Sequence, residues 1–120
     1  FSHANLKESN IEGADLKNAQ MKGADLSDTL MTGVFLSHAN LSDANFTNSE
    51  LIAADLTDSD LSRANFENAY MNHADLSGAN LKLAINLTQE QIETTFIDRG
   101  TIFPDTLSIV WVSDTEYEFK

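Results

Sequence analysis

Apolar residues recur at every fifth position from Phe1 to Leu81, through Leu6, Ile11, Leu16, Met21 and Leu26 and onward without a slip. Two residues before most of these centres sits a small side chain, as at Ala4, Ser9, Ala14, Ala19, Ala24, Ala39, Ala44, Ser49 and Ala54, and Asn or Asp usually lies between. The repeated word is Ala-(Asn/Asp)-Leu-x-x. A period of five suits neither regular element. It drifts around a 3.6-residue helix without leaving a stable apolar stripe, and unbroken strand alternation would put every second centre on the wrong side. A self-similar period over two thirds of the chain decides the architecture before any other feature.

Extended backbone alternates sides, so the small residue and the centre share an inward face while the Asn or Asp between them points out. The other two residues must turn the chain. Four words then close a square coil of about twenty residues, and coils stacked about 4.8 Å apart are joined by backbone hydrogen bonds. The repeats from Phe1 to Leu81 fill about four such coils, a stack on the order of 20 Å tall. A narrow interior has room for one large group per side, which is why the second inward position is Ala or Ser. Gly13, Gly23, Gly33 and Gly78 fall in the turning pair, where a corner needs unusual backbone angles.

The words Ala14-Asp15-Leu16, Ala24-Asp25-Leu26, Ala39-Asn40-Leu41, Ala44-Asn45-Phe46, Ala54-Asp55-Leu56, Ala64-Asn65-Phe66 and Ala74-Asp75-Leu76 resemble the pentapeptide-repeat family over about residues 1 to 83. The resemblance implies an all-β solenoid, a right-handed quadrilateral β-helix. Squareness follows from the spacing, whereas handedness is implied by the family alone. Residues 1–86 are expected to form the β-helix, and 87–120 a C-terminal capping α-helix and extended tail of the same structural domain.

The register ends after Leu81. In Leu87-Thr88-Gln89-Glu90-Gln91-Ile92, Thr88 reads as a helix N-cap, Gln91 three residues on reciprocates, and Leu87 and Ile92 form a hydrophobic staple. The pattern predicts a helix over about 89 to 98, with Ile92 and Phe96 on one face and Arg99 and Gly100 at its end. Its expected task is to cover the open edge of the last coil. The segment from Thr88 to Leu107 also resembles the tail that follows these repeats in bacterial and cyanobacterial members. Residues 107–112 read as one strand, and the acidic end 113–120 as frayed.

Stacking in twenties lets outward positions be compared in columns. Two columns keep Asn, Asp or Gln throughout. The others contain Leu30, Tyr70 and Phe35 where Asn or Asp belongs, and Ile52, just after centre Leu51, is a further apolar residue at an outward position. Bulky Thr29 and Val34 occupy the small inward position in the same stretch. Two readings stand: Leu30, Phe35, Ile52 and Tyr70 form a partner-binding patch on one side of the rod, or they mark a bulged coil whose apolar residues pack together or against the tail.

Charge adds a second surface feature. The formal net charge is −12 over 120 residues, and the run from Asn40 to Asp60 holds Asp43, Glu50, Asp55, Asp58 and Asp60 without one basic residue; Asp75 continues the series. Such a surface repels nucleic acid and anionic membranes. Some members of the family resemble duplex DNA in shape and charge and bind type II topoisomerases. That role would carry over to these acids as an acidic DNA mimic, although it belongs to long rods, usually dimeric through the C-terminal end. The plainer reading is that the repeat's own Asp makes any member acidic.

No catalytic constellation is found. His3, His38 and His73 take the second turning position on three different sides, so they do not converge on a metal or substrate. The carboxylates lie on an outer surface without a cleft to raise a pKa. There is no phosphate-cradling glycine loop and no nucleophile elbow. Asp55 above Asp75 is a sparse cation site compared with a calcium loop. The chain has no cysteine, which excludes disulfides and thiolate chemistry without choosing a compartment, so cytoplasmic and periplasmic or thylakoid-lumenal settings stay open. Phe1 stands in mid-word without an initiator Met, as in a mature or excised piece of something longer. The sequence therefore predicts a non-enzymatic structural or protein-interaction module without cofactor or metal. It would bind an unknown protein partner, neither nucleic acid directly nor membrane, as a monomer or weak dimer.

Overall fold

Each five-residue word consists of an extended rung and a turn. In the computed structural model, which describes residues 1–120, the carbonyl of a centre accepts from the N–H three residues on, as in Ala4 to Phe1 (2.9 Å), Ala24 to Met21 (3.1 Å) and Ala54 to Leu51 (3.1 Å). The second turning residue has positive φ in every word from His3 to Leu83, 55° to 64° at the non-glycine positions and 67° to 71° at glycine. Positive φ at the third residue alone matches a type II turn. Left-handed backbone is least strained in Gly, Asn, Asp and His. Hence this position is mostly Gly, Asn, Asp or His, as at Gly13, Asn18, Asp28, His38, Asn48, Asp58, Asn68, His73 and Gly78, with Glu8, Ala53, Arg63 and Leu83 as the exceptions. At Gly78 the requirement is double, because a Cβ there would also meet the Asp58 carboxylate.

The coils register at twenty residues and make a β-solenoid. Asn5 bridges Asp25, Asp25 bridges Asn45 and Asn45 bridges Asn65, all in parallel, and the columns from Asn10, Asp15 and Gln20 behave alike. Within a corner the centre and the second turning residue donate to the next layer, as in Leu26 N to Asn45 O (2.8 Å) and Asp28 N to Thr47 O (2.9 Å), while Asn45 N donates back to Ala24 O (3.0 Å). Two bonds in one direction and one in the other repeat at each corner.

Inside, centres stack on centres. Leu26, Phe46 and Phe66 are fully buried in one column, and the two phenyl rings lie 5.2 Å apart and 7° from parallel. At three of the four words whose small inward residue is Ser or Thr, its hydroxyl donates to the carbonyl of the preceding centre: Thr29 to Leu26 (2.6 Å), Ser49 to Phe46 (2.7 Å), Ser59 to Leu56 (2.7 Å). Leu6, Ile11 and Leu16 are only half-buried, since the first coil has a neighbour on one side alone.

The stretch from Thr29 to Phe35 does not bulge, contrary to the second sequence reading. Leu30 bridges both Asn10 and Glu50, Phe35 bridges both Asp15 and Asp55, and Thr29 and Val34 are fully buried. The extra bulk fits because the residues above and below in those columns are small: Ser9 and Ser49 around Thr29, Ala14 and Ala54 around Val34.

After the repeats the chain forms α1 (Gln89–Glu93), with Thr88 as N-cap: Gln91 N donates to Thr88 Oγ1 (3.2 Å) and Thr88 N to Gln91 Oε1 (2.9 Å). Leu87 and Ile92 are buried. The helix is shorter than the pattern predicts. The hydroxyls of Thr94 and Thr95 turn back onto the carbonyls of Gln91 and Ile92 at 2.7 Å each, and the open layer beneath captures the backbone beyond. His73 N donates to Thr94 O (2.8 Å) and Leu76 N to Phe96 O (2.7 Å). Phe96 thus bridges Asp75 and points outward instead of sharing a face with Ile92, and Ile102 bridges Asn80.

The acidic end is not frayed. β1 (Ile109–Trp111) pairs antiparallel with β2 (Tyr117–Phe119), and Val112 N donates to Glu116 O (2.9 Å) across the connection. Ser113 Oγ accepts from the N–H groups of Thr115 and Glu116. Tyr117 stands edge-on to both Trp111 (5.6 Å) and Phe119 (5.7 Å), while the Arg99 guanidinium lies 5.2 Å over the Trp111 ring. Arg99 therefore holds the hairpin rather than a helix end.

Two stability outcomes follow from this packing. Ala54→Leu should overpack the interior and cost about 1 to 3 kcal/mol by urea denaturation, against roughly 0.5 kcal/mol or less for Lys82→Leu on the outside; equal costs would refute the assignment of faces. Gln91→Leu removes the reciprocal cap and two bonds to the carbonyls of Phe66 and Ala69, and should cost about 2 to 3 kcal/mol, more than Thr88→Ala at about 1 kcal/mol.

Candidate functional site

The outward Asn and Asp are part of the turn. At every such position from Asn5 to Asn80, Oδ1 accepts the N–H two residues on at 3.0–3.2 Å, the Asx-turn geometry. Where that second residue is Ser27, Ser42, Thr47, Thr57 or Ser62 its hydroxyl adds a shorter bond, as from Ser27 to Asp25 (2.6 Å) and Thr57 to Asp55 (2.7 Å). Gln20, Leu30, Phe35, Glu50 and Tyr70 occupy the same position without this bond. Three of them share one column, Asn10, Leu30, Glu50 and Tyr70, and Phe35 belongs to the next corner. Surface free of a turn-binding task is thus concentrated on two adjacent corners.

The apolar residues singled out from the sequence lie there. Leu30 is 38%, Phe35 46% and Tyr70 59% exposed, while Ile52 is half-buried between the two columns. They do not form one unbroken patch. Glu50 stands between Leu30 and Tyr70 in their column, and Phe35 is flanked by Asp15 below and Asp55 above.

The acidic residues are spread over all four corners. Asp43 is clamped by Arg63 through Nε (2.9 Å) and Nη2 (3.2 Å), which holds its carboxyl below the usual range and raises the guanidinium. Asp58 lies 3.6 Å from His38 Nε2. Asp55, Asp60 and Asp75 are engaged in Asx turns, and Glu50 is half-buried. Asp25 is likewise lowered, first by the Ser27 hydroxyl and then by the Ser27 N–H. His3, His38 and His73 sit at left-handed turn positions of three separate columns. No group of three His, Cys, Asp or Glu is placed to hold a metal ion.

One feature was not found from the sequence: an open groove of ≈ 660 Å³ beside Tyr70, lined mainly by Asn48, Glu67, Asn68, Tyr70, Thr88 and Gln91. It arises where α1 replaces the word that would have continued the Tyr70 column. Gln91 Nε2 stands in for part of that missing word, donating to Phe66 O (2.9 Å) and Ala69 O (3.0 Å). Extending the columns past residue 86 would have exposed the mismatch, because position 90 falls inside the helix signature.

The carboxyl shifts set an acid limit. Asp25 and Asp43 have folded-state pKa values below those of the unfolded chain. Their contribution is therefore fully present above the ordinary Asp value of about 3.9 and is lost as pH falls through the folded value. Asp25→Asn keeps the Oδ1 acceptor but cannot titrate. The difference in urea midpoint between wild type and this variant should be flat from about pH 7 to 5 and change only below about pH 4; a difference that moves at neutral pH would contradict the assignment.

Comparison with known proteins places this geometry. A family model described as a pentapeptide repeat region matches residues 1–81. The crystal structure of HetL, a protein involved in heterocyst differentiation regulation from the cyanobacterium Nostoc sp. strain PCC 7120, superposes with a TM-score of 0.66 at 25% identity, over 88% of this chain and 45% of HetL. Rfr23 from the cyanobacterium Cyanothece 51142 gives 0.61 at 28% identity, over 82% of this chain and 63% of that one. The chain thus spans roughly half of these relatives. No curated protein sequence matches it significantly. No helix is long and apolar enough to cross a membrane.

Proposed function

The chain belongs to the pentapeptide-repeat family, and on that premise we propose that it is a non-enzymatic protein-interaction module whose contact surface is the pair of corners bearing Leu30, Phe35, Ile52 and Tyr70. The observation that carries this reading is the distribution of turn bonds. Asn or Asp at the outward position binds its own turn, whereas Leu30, Phe35 and Tyr70 give up that bond and leave apolar surface in water. Exposed apolar side chains that stabilise nothing within the chain are the usual mark of a contact face. The likeness to HetL, a regulatory protein, agrees with action through a partner.

The finer architecture belongs to the same proposal. The stack is a right-handed quadrilateral β-helix of about four coils over 1–86, and 87–120 closes its C-terminal end as helix and tail. The module acts as a monomer or weak dimer, without cofactor, membrane or direct nucleic-acid contact. The acidic surface is a by-product of the Asx turns: Asp55, Asp60 and Asp75 each hold a turn N–H, and Asp43 is spent on Arg63.

The test is a pull-down from lysate of the source organism at low and high salt, with wild type and Phe35→Asp. A partner that survives high salt and disappears with Phe35→Asp is the expected result. A DNA-binding protein such as a topoisomerase, released by salt and indifferent to Phe35→Asp, would replace this reading with an acidic DNA mimic.

A further inference from the structure

Above the fourth coil the bridges continue in three columns and stop in one. Asn65 bridges Ile85, Asp75 bridges Phe96 and Asn80 bridges Ile102, but Tyr70 has a partner only below, Glu50. In the layer beneath, the corresponding N–H groups are used: Asn48 N donates to Glu67 O (2.9 Å) and Leu51 N to Tyr70 O (2.7 Å). Their equivalents one layer up, Asn68 N and Met71 N, donate to no group within the chain. By the regularity of the coil these two donors point along the stack axis. Asn68, in the turn after Phe66, lines the groove, whereas Met71, the centre that follows Tyr70, is buried beside it.

The walls of that groove have a definite chemistry. The Tyr70 ring is 59% exposed and carries no turn bond. Glu67 lines the groove, Glu50 lies one layer below Tyr70, and the amides of Asn48 and Asn68 stack along the corner. None of the lining residues is basic, and the chain as a whole carries −12. An aromatic face beside a carboxylate attracts a guanidinium or ammonium group, and the free main-chain donor at Asn68 suits a carbonyl of an extended peptide.

The geometry points to the Tyr70 corner as a docking groove for an extended segment of a partner protein that bears an arginine or lysine. The segment supplies a main-chain carbonyl to the Asn68 N–H, and its cation lies over the Tyr70 ring against Glu67. This rests on the interaction-module reading and adds to it the chemistry of the partner: one end of the contact face reads a basic extended strand, while Leu30 and Phe35 offer apolar surface beside it.

The experiment is an amide NMR titration of the full chain with the tripeptide acetyl-Gly-Arg-Gly-amide, and with the same peptide carrying Gln in place of Arg. Saturable shifts confined to the neighbourhood of Asn68, Tyr70 and Met71 are expected, with the Arg peptide bound about ten-fold more tightly, the value of one charge-assisted hydrogen bond. Tyr70→Ala and Glu67→Gln should each abolish that preference, and Phe35→Asp should leave it intact. Four results would overturn the proposal: no saturable shift at about 10 mM peptide, well above a Kd of about 1 mM; equal response to the Gln peptide; shifts spread over all acidic corners and unchanged by Tyr70→Ala; or shifts at this corner produced only by a methyl glycoside, which would make it a sugar site. Failure here together with a partner lost on Phe35→Asp would leave the interaction module standing, so the two readings fail separately.

Discussion

Everything in this protein depends on the main-chain hydrogen bonds between layers. Each corner sends two N–H groups one way and one the other, so a residue is fixed by what lies twenty positions before and after it. A one-residue slip would move every centre out of the interior and every outward Asn into it. The register is consequently all-or-nothing over a coil, and local oddities such as Thr29 and Val34 are absorbed by small residues above and below. A stack of this kind holds together through neighbour contacts, layer on layer.

The same ladder explains how surface is divided between structure and function. An outward Asn or Asp closes its own turn, and the left-handed residue that follows is in most words one that tolerates positive φ. Between them these demands fix most outer positions without reference to any partner. Part of the acidity of the chain is their consequence, which weakens net charge as evidence of function. What remains informative is the set of positions where the demand is waived, and these gather around Leu30, Glu50, Tyr70 and Phe35.

The end of the stack is where the two themes meet. A layer of unpaired backbone has to be satisfied, and here it is satisfied by makeshift means: a five-residue helix, a Gln91 side chain in place of a rung, and a return of the chain to the ladder at Phe96 and Ile102. The repair is complete except beneath α1. Of the two free donors, Met71 N follows the column that gives up its Asx turns above Asn10, and Asn68 N lines the groove next to it, so backbone and side-chain evidence meet beside Tyr70.

The sequence by itself determined the repeat, because a fixed period of five admits one assignment of inward and outward faces, and it determined the columns, because stacking copies each position at intervals of twenty. It also marked Leu30, Phe35 and Tyr70 as departures. It did not reveal that the outward Asn and Asp are turn acceptors, which only the positions of Oδ1 and the N–H two residues on display. Nor could it set the length of α1. Local pattern favoured continuation to residue 98, but competition from the open layer above Asp75 drew Phe96 into the ladder, an interaction between residues far apart in the chain. The C-terminal hairpin was missed for the same reason: it is held by the Trp111, Tyr117 and Phe119 rings and by Arg99, contacts that no periodicity encodes. The groove at Tyr70 is a product of that tertiary choice. It exists because a helix stands where the next rung of the Tyr70 column would repeat the word, and a helix does not present the carbonyls that Asn68 and Met71 require.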